Sequence, residues 1–336
     1  MTLCFLPLTL YPLPFTLYSF PLLAPEILRP VGALPAHVTA RFEDPTGFQQ
    51  GPGGDYFVFD RRSHTVFAYT PGAEAPRKII QIGAEPGRVI QPTAFDVAPD
   101  ATFVVADAPF GVERIQVFSA GGATLSAFSL ASRAVPRLTI DSFVLNGVGS
   151  IEYTGSSILI SQPETGGLVT EYTAAGRVKR TFGELRRTGH ETDAELHTAL
   201  NAGVALVAPD GGFYFVFLAG VPLFRKYDAA GTLVLERHVE GAEVDQLLRT
   251  LPTTWRARRP NEAAVVAPSI RTAAVDRGGH LWISLRVPYT YVYDTSGDKR
   301  RVVQFRGAGV LAAASLSFTE DLRVLVTPGC YAFSAR

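Results

Sequence analysis

Short runs of alternating apolar and polar residues fill most of this chain, and turns rich in glycine, proline and aspartate separate them. One unit recurs five times with a partial sixth: two apolar strands joined by a turn, a polar loop, a third strand ending in an aromatic residue, a glycine turn and a last strand. Such alternation over strand-length runs is typical of half-buried β-sheet. The pattern therefore predicts a series of similar four-stranded sheets.

The second copy shows the unit most clearly, and the sixth copy is incomplete. In the second copy the pattern predicts strands at 93–98, 102–107, 114–118 and 124–128. The sixth copy has apolar runs at 315–318, 322–326 and 330–333, after which the chain supplies no fourth strand. A strand from the N-terminal side can complete such a unit and close a ring of sheets, which removes exposed sheet edges. The run His37–Phe42 is the predicted donor.

Residues of the second copy also carry a family resemblance. Pro92, Asp96, the run 104–107 (Val-Val-Ala-Asp) and the run 114–118 (Arg-Ile-Gln-Val-Phe) stand where the NHL-repeat family has its Pro, Asp, Val-Ala-Asp and Arg-Ile-Gln-Val-Phe. The chain thus resembles that family over about residues 37–336. The resemblance implies an all-β fold, a six-bladed β-propeller of four-stranded blades. We expect residues 31–336 to form this domain and residues 1–30 to be an apolar, proline-rich leader or extension.

Two longer segments between copies predict short helical insertions. The segment 183–202 contains a helix pattern at 193–200 with Thr192 or Asp193 as its cap, and the segment 240–269 contains one at 244–249. Both segments join the outer strand of one blade to the inner strand of the next. We therefore expect both to decorate one face of the propeller, where loops on a rigid scaffold usually carry function.

Composition narrows the class of partner. The chain has 336 residues, of which 47% are hydrophobic and 18% charged, and 31 Lys+Arg balance 31 Asp+Glu. A zero net charge provides no general attraction to nucleic acid. The chain has two short basic clusters, the arginines at 256, 258 and 259 and the run 299–301. Acidic residues elsewhere in the chain accompany them, which favours a solvated surface over a nucleic-acid site. We expect no nucleic-acid partner, no integral membrane domain and a monomer.

The first 25 residues carry no charged side chain and are rich in leucine and phenylalanine, as in the apolar region of an export signal. They lack a basic start, and their prolines would interrupt a helix. If this leader is a signal, the protein is periplasmic or secreted; otherwise it is cytoplasmic. The two cysteines, Cys4 and Cys330, are too few for a disulfide framework.

Polar residues in the loops of the predicted functional face are candidates for binding a polar or anionic ligand, because guanidinium groups pair well with carboxylate and phosphate. His64 belongs to the polar loop of the first unit, and comparable loops supply further residues in other units. Ordinary loop solvation is the alternative interpretation. The candidate ligand-binding residues are Arg62, His64, Asp107, Arg114, Glu164, Arg271, Arg286 and Tyr289.

A metal site is the second candidate, because the architecture also resembles gluconolactonase-like propeller hydrolases, which hold a divalent cation at the channel mouth. Asp44 (or Glu43), Asn146 and Asn201 precede inner strands and offer oxygen ligands for calcium or a similar cation. In this alternative Arg271 orients an anionic substrate. Turn formation and helix capping would equally explain the two asparagines.

The favoured hypothesis is a non-catalytic propeller without a cofactor that binds a ligand or protein partner on its decorated face. The alternative is a metal-dependent hydrolase or lyase with its site at the channel mouth. A third possibility, a protein-interaction scaffold, predicts exposed apolar residues in the insertions, such as Leu247 and Leu248. Fold alone does not decide among them.

Overall fold

The computed structural model describes residues 23–133, 136–140, 143–252 and 262–336. Six four-stranded antiparallel blades form a ring, and the chain is a β-propeller. In blades 1 to 5 the strands follow the sequence from the channel outward. The strands of blades 1 to 3 are Pro45–Gln50, Tyr56–Asp60, Thr65–Tyr69 and Arg77–Lys78; Ala94–Val97, Phe103–Asp107, Val112–Phe118 and Thr124–Arg133; and Ile151–Tyr153, Ser157–Ser161, Val169–Thr173 and Val178–Phe182.

Blades 4 to 6 repeat this arrangement. Their strands are Gly203–Val207, Phe213–Phe217, Leu223–Tyr227 and Leu233–His238; Ile270–Val275, Leu281–Leu285, Thr290–Tyr293 and Lys299–Arg306; and Ser315–Phe318, Arg323–Thr327, Tyr331–Ser334 and Pro30–Ala33. The fold class predicted from the repeat is confirmed, and the four strands predicted in blade 2 match the observed ones closely.

The predicted donor of the closing strand is wrong. Residues Ala36–Thr39 form a helical turn after Pro35, and Val38 is fully buried there, so this segment packs into the core between blades 6 and 1 instead of extending a sheet. The donor is Pro30–Ala33, which pairs antiparallel with Tyr331–Ser334. Immediately before it, Glu26–Leu28 adds a parallel fifth strand to blade 5 by pairing with residues 303–305. The N-terminal segment 26–33 therefore joins two neighbouring blades.

The core lies between the faces of adjacent blades, and aromatic rings bridge them. Tyr172 of blade 3 lies 5.4 Å, centroid to centroid, from Phe128 of blade 2, and Tyr293 of blade 5 lies 4.9 Å from Phe224 of blade 4. Both tyrosines end or nearly end the third strand of their blade. The recurring aromatic position of the sequence unit thus packs one blade against the next.

Both predicted helices are present. Ala194–Leu200 is capped by Asp193, whose side chain accepts a hydrogen bond from the Leu196 amide. Ala242–Leu248 packs against blade 5, where the Tyr291 hydroxyl donates to Glu243 at 2.6 Å. Leu247 of this helix is buried, contrary to the exposure that a docking scaffold predicted, and Leu248 is partly buried. The arginines at 256, 258 and 259 lie outside the described residues.

A hairpin between blades 2 and 3 was not predicted. Its strands Pro136–Ile140 and Phe143–Asn146 lie beside the channel entrance, and Leu145 contributes to the channel wall. The hairpin contacts the segment before blade 5 through a Thr139 amide that donates to Val266 and a Val266 amide that donates to Arg137. Further short elements are Gln81–Ile82 paired with Arg88–Val89, Val310–Leu311, and the 3₁₀ turns Pro109–Gly111 and Pro163–Thr165. No helix in the described part of the chain is long and apolar enough to span a membrane.

Candidate functional site: the central channel

The six inner strands surround a central cavity of about 1460 Å³. A turn of the same kind follows each inner strand, because the first amide after the strand donates to a carbonyl at the far side of the turn: Gly51 to Asp55, Ala98 to Thr102, Thr154 to Ser157, Ala208 to Gly212, Asp276 to His280 and Thr319 to Arg323. These turns mark equivalent positions on the six inner strands. The residues two positions before them lie at one level, near the end of the channel opposite the loops that carry Arg62 and His64: Gln49, Asp96, Glu152, Leu206, Ala274 and Ser317.

Four of these six positions are polar, and hydrogen bonds from this level cross the blade boundaries. Asp96 Oδ1 accepts from Gln49 Nε2 of blade 1 at 2.9 Å, and Asp96 Oδ2 accepts from the Tyr153 amide of blade 3 at 2.6 Å. Glu152 Oε1 accepts from the Val207 amide of blade 4 at 3.3 Å. The Ser317 hydroxyl of blade 6 donates to the Phe48 carbonyl of blade 1 at 2.7 Å. This level, which we call the carboxyl level, therefore links blades 6, 1, 2, 3 and 4.

The two carboxyl groups at this level hold their protons unusually well. Removal from bulk water raises the pKa of Asp96 to about 6, although hydrogen bonds from Gln49, Tyr153 and Val97 act in the opposite direction. Removal from bulk water also raises the pKa of Glu152 well above its usual value, and the charge of Asp96 raises it further. Both side chains remain partly open to the channel. Burial therefore favours the protonated form of both carboxyl groups more than water does.

The channel mouth carries cationic side chains beside the carboxylates of Glu43 and Asp44. Arg271 is the second residue of the inner strand of blade 5, three residues nearer the mouth than the carboxyl level. Arg62 and His64 belong to the turn after the second strand of blade 1 and line the same cavity. Arg62 is largely exposed and forms a long ion pair of 3.8 Å with Glu43, whereas the neighbouring Arg61 binds Asp44 at 2.7 Å.

His64 is held in an uncommon backbone conformation, with φ of 49°. Burial lowers the pKa of its imidazole, while the charge of Asp60 raises it and that of Lys78 lowers it. Its Nδ1 atom is enclosed and has no hydrogen-bond partner among the described residues. An enclosed ring nitrogen without a partner costs free energy.

The structure brings Arg62, His64 and Arg271 together on the channel wall and places the other predicted ligand residues elsewhere. Arg114 binds Asp107 at 2.6 Å, both are buried, and Arg114 also donates to the carbonyls of Ala84 and Arg88. Glu164 binds the buried Arg137 at 2.8 Å. Arg286 and Tyr289 are partly buried in the loop of blade 5, and Tyr289 packs against the apolar core. Among the described residues, none of these five lines the channel.

Of the predicted metal ligands, Asp44 and Asn201 are bound to partners within the fold. Asp44 lines the channel and is paired with Arg61. Asn201 is fully buried at the end of its helix, where its side chain accepts from the Arg186 amide at 2.9 Å and donates to the His197 carbonyl at 3.0 Å. The Asn146 side chain lies outside the described side chains. Asn201 thus acts as a helix cap, and the described residues contain no cluster of three or more His, Cys, Asp or Glu suited to a metal.

Two channel residues, Gln49 and Glu152, were missed by sequence reasoning. Asp96 was noticed only as part of the family resemblance. The repeat does contain the signal, because all three stand two positions before the turn that ends an inner strand. Their common level depends on the register of the inner strands, which the hydrogen bonds of these turns define.

Comparison with known proteins supports the fold alone. No family model matches the chain, and no curated protein matches it. A solved streptogramin B lyase matches with a TM-score of 0.52 at 10% identity, covering 85% of this chain and 76% of the lyase. A catalytically inactive virginiamycin B lyase from Staphylococcus aureus, solved with quinupristin, matches with a TM-score of 0.50 at 9% identity, covering 87% of this chain and 85% of that one.

These findings define the class: the chain is a six-bladed β-propeller. Its channel has Arg62 and Arg271 near the mouth and the carboxyl groups of Asp96 and Glu152 below them. Membership of the NHL-repeat family stays a prediction, because no family model matches.

Proposed function

We propose that this protein is a non-catalytic propeller that binds a small anionic ligand at the mouth of its central channel. The observation that supports the proposal is that Arg62, His64 and Arg271 all line the same cavity. Arg271 belongs to a strand in the rigid wall, so its backbone is positioned before any ligand arrives. Guanidinium groups offer paired donors to a carboxylate or phosphate.

Thermal unfolding with simple anions tests the proposal. Succinate and inorganic phosphate serve as probes, with sodium chloride of equal ionic strength as the salt control. We expect at least one probe to raise the Tm, because a ligand that binds only the folded state stabilises it by RT ln(1 + [L]/Kd), about 1.4 kcal/mol at ten times Kd. Arg271→Ala and Arg62→Ala should abolish the rise.

Arg177→Ala is the matched control, since Arg177 is exposed on a turn at the outer part of blade 3. It should leave the rise unchanged. The proposal is contradicted if neither anion shifts the Tm beyond the salt control, or if the shift survives in Arg271→Ala.

The metal-dependent hydrolase or lyase gains no support from the site geometry, because Asp44 is paired with Arg61 and Asn201 caps a helix. Under our proposal, chelation and added calcium leave the Tm unchanged. A rise with calcium that disappears in Asp44→Ala would favour the metal-dependent alternative instead.

We also propose an extracytoplasmic location. The support is the sequence of the uncharged, apolar segment 1–25, directly after which the first strand of the propeller begins at Glu26. Fractionation of cells that express the full chain tests it, with the mass of the mature protein reporting any processing.

A further inference from the structure

The carboxyl level lies in the same cavity as Arg62 and Arg271, and its groups are not all used by the fold. Both oxygens of Asp96 accept hydrogen bonds, and so does Glu152 Oε1. Glu152 Oε2 has no hydrogen-bond partner among the described residues, and it is not among their enclosed polar atoms, so it remains open to the channel. The cavity therefore has an open acceptor at one level and guanidinium groups in its lining at another.

The separation of the two levels sets the length of a matching ligand. Arg271 stands three residues from Ala274, which lies at the carboxyl level. A strand rises about 3.3 Å per residue, and the pairing register shifts between Ile270 and Thr272, so Arg271 is an extra residue of this strand and the backbones of the two levels are about 7–10 Å apart along the channel. Extended peptides of two to three residues have about this length. Between the levels the wall includes the apolar side chains of Phe95, Val204 and Leu316, against which a peptide backbone or side chain can pack.

A primary ammonium group suits the carboxyl level better than a divalent metal does. Calcium takes six to eight oxygen ligands, and magnesium requires a near-octahedral set. Here Gln49, Tyr153 and Val207 already donate to three of the four carboxyl oxygens. An ammonium group carries three donors, one of which can reach the remaining acceptor, Glu152 Oε2.

Resting on the proposed function, we propose that the channel ligand is dipolar: a short peptide whose free carboxylate binds Arg271 at the mouth and whose free α-amine binds Glu152 and Asp96 at the carboxyl level. Neither end group alone would use both levels. The ligand class is therefore distinguished from simple anions by its need for the amine.

Titration calorimetry on the full chain tests this inference with three peptides that carry charge only at their ends or not at all: triglycine, N-acetyl-triglycine and triglycinamide. Triglycine should bind most tightly. Acetylation removes the ammonium group and amidation removes the carboxylate, so each should weaken binding at least tenfold, and Glu152→Gln should weaken triglycine binding by a similar factor.

The variants show which end of the peptide each level binds. Glu152→Gln should leave the already weak binding of N-acetyl-triglycine unchanged, whereas Arg271→Ala should weaken it further. Arg177→Ala should affect none of the peptides. An unchanged response of Glu152→Gln to succinate or phosphate confirms that the variant folds with an intact mouth.

The outcomes separate the two proposals. If N-acetyl-triglycine binds as tightly as triglycine, or if simple anions bind and triglycine does not, the dipolar ligand is excluded while the anion site stands. If neither peptides nor anions bind, both proposals fail.

Discussion

Arg301 binds Glu26 through two hydrogen bonds, from Nε to Oε2 at 2.8 Å and from Nη2 to Oε1 at 3.0 Å, although the two residues lie 275 positions apart. The pair attaches the N-terminal strand Glu26–Leu28 to the outer strand of blade 5. Four residues later the same segment completes blade 6. The N-terminal segment thus closes the ring at two blades.

Deleting the closing segment should destabilise the propeller strongly. A chain that begins at Leu34 loses both N-terminal strands and exposes the edges of blades 5 and 6, whereas one that begins at Leu23 keeps them. Each lost backbone hydrogen bond costs about 1 kcal/mol, so we expect a loss of at least about 4 kcal/mol in the free energy of unfolding. Denaturant titration of the two chains measures it.

Glu26→Gln distinguishes the contribution of the ion pair from that of the strand pairing, because it removes only the charge. Because Glu26 is nearly half exposed, this variant should cost no more than about 1 kcal/mol in the free energy of unfolding.

The deletion experiment can also contradict the role given to the segment. Equal stability of the chains starting at Leu23 and Leu34 would show that the segment does not close the ring.

Asp107→Ala should be one of the most damaging single substitutions in blade 2, because Asp107 is buried. It leaves the buried Arg114 without its carboxylate, and breaking a buried pair costs about 3–5 kcal/mol. Glu320→Ala removes one partner of the exposed pair with Arg277 and should cost less than about 1 kcal/mol. Urea unfolding of both variants makes the comparison, and similar losses would contradict the structural role given to Asp107.

Glu152→Gln should stabilise the protein at alkaline pH and not at acid pH. The folded pKa of Glu152 lies above its usual value of 4.5, so the folded state favours the protonated form. The stability contributed by the carboxyl is fully present below the unfolded pKa and is lost as the pH rises through the folded pKa. Glutamine cannot ionise, and its oxygen can still accept from the Val207 amide.

Thermal unfolding at pH 4 and pH 8 measures this difference. The Tm of Glu152→Gln should exceed that of the unmodified protein by a few degrees at pH 8, with no gain at pH 4. Glu74→Gln, at an exposed position, is the control and should show no pH-dependent gain. A lower Tm at pH 8 than the unmodified protein would mean that the ionised carboxylate is favoured in the folded state.

Gly122→Ala should be far more costly than Gly121→Ala. Gly122 has φ of 89°, and an added Cβ would lie 2.1 Å from the Ile79 carbonyl oxygen. At Gly121 the nearest atom is the Ser119 hydroxyl at 3.9 Å. The left-handed conformation alone costs about 1–2 kcal/mol, and the backbone clash adds to it. Denaturant titration should show a loss of at least about 2 kcal/mol for Gly122→Ala, and equal stabilities would contradict the turn geometry.

The repeat predicted the blades because strand pattern is local. Alternating residues in 93–98 and 102–107 specify adjacent strands whatever surrounds them, and blade 2 forms as expected. The same reasoning failed for the closing strand. The pattern of His37–Phe42 is strand-like, yet Pro35 and the burial of Val38 favour a helical turn, and the neighbouring Pro30–Ala33 reaches the open edge of blade 6.

The sequence by itself determined the class of fold, the number of blades and the two helical insertions, since each follows from short-range periodicity and capping. It also nominated Arg62, His64 and Arg271, but alongside Asp107, Arg114 and Asn201, which turned out to serve the fold. Only the tertiary structure decided between these groups. Which polar side chains face the channel, and which pair with one another in the protein interior, depends on contacts between blades that lie some fifty residues apart in sequence, such as Gln49 with Asp96 and Glu152 with Val207.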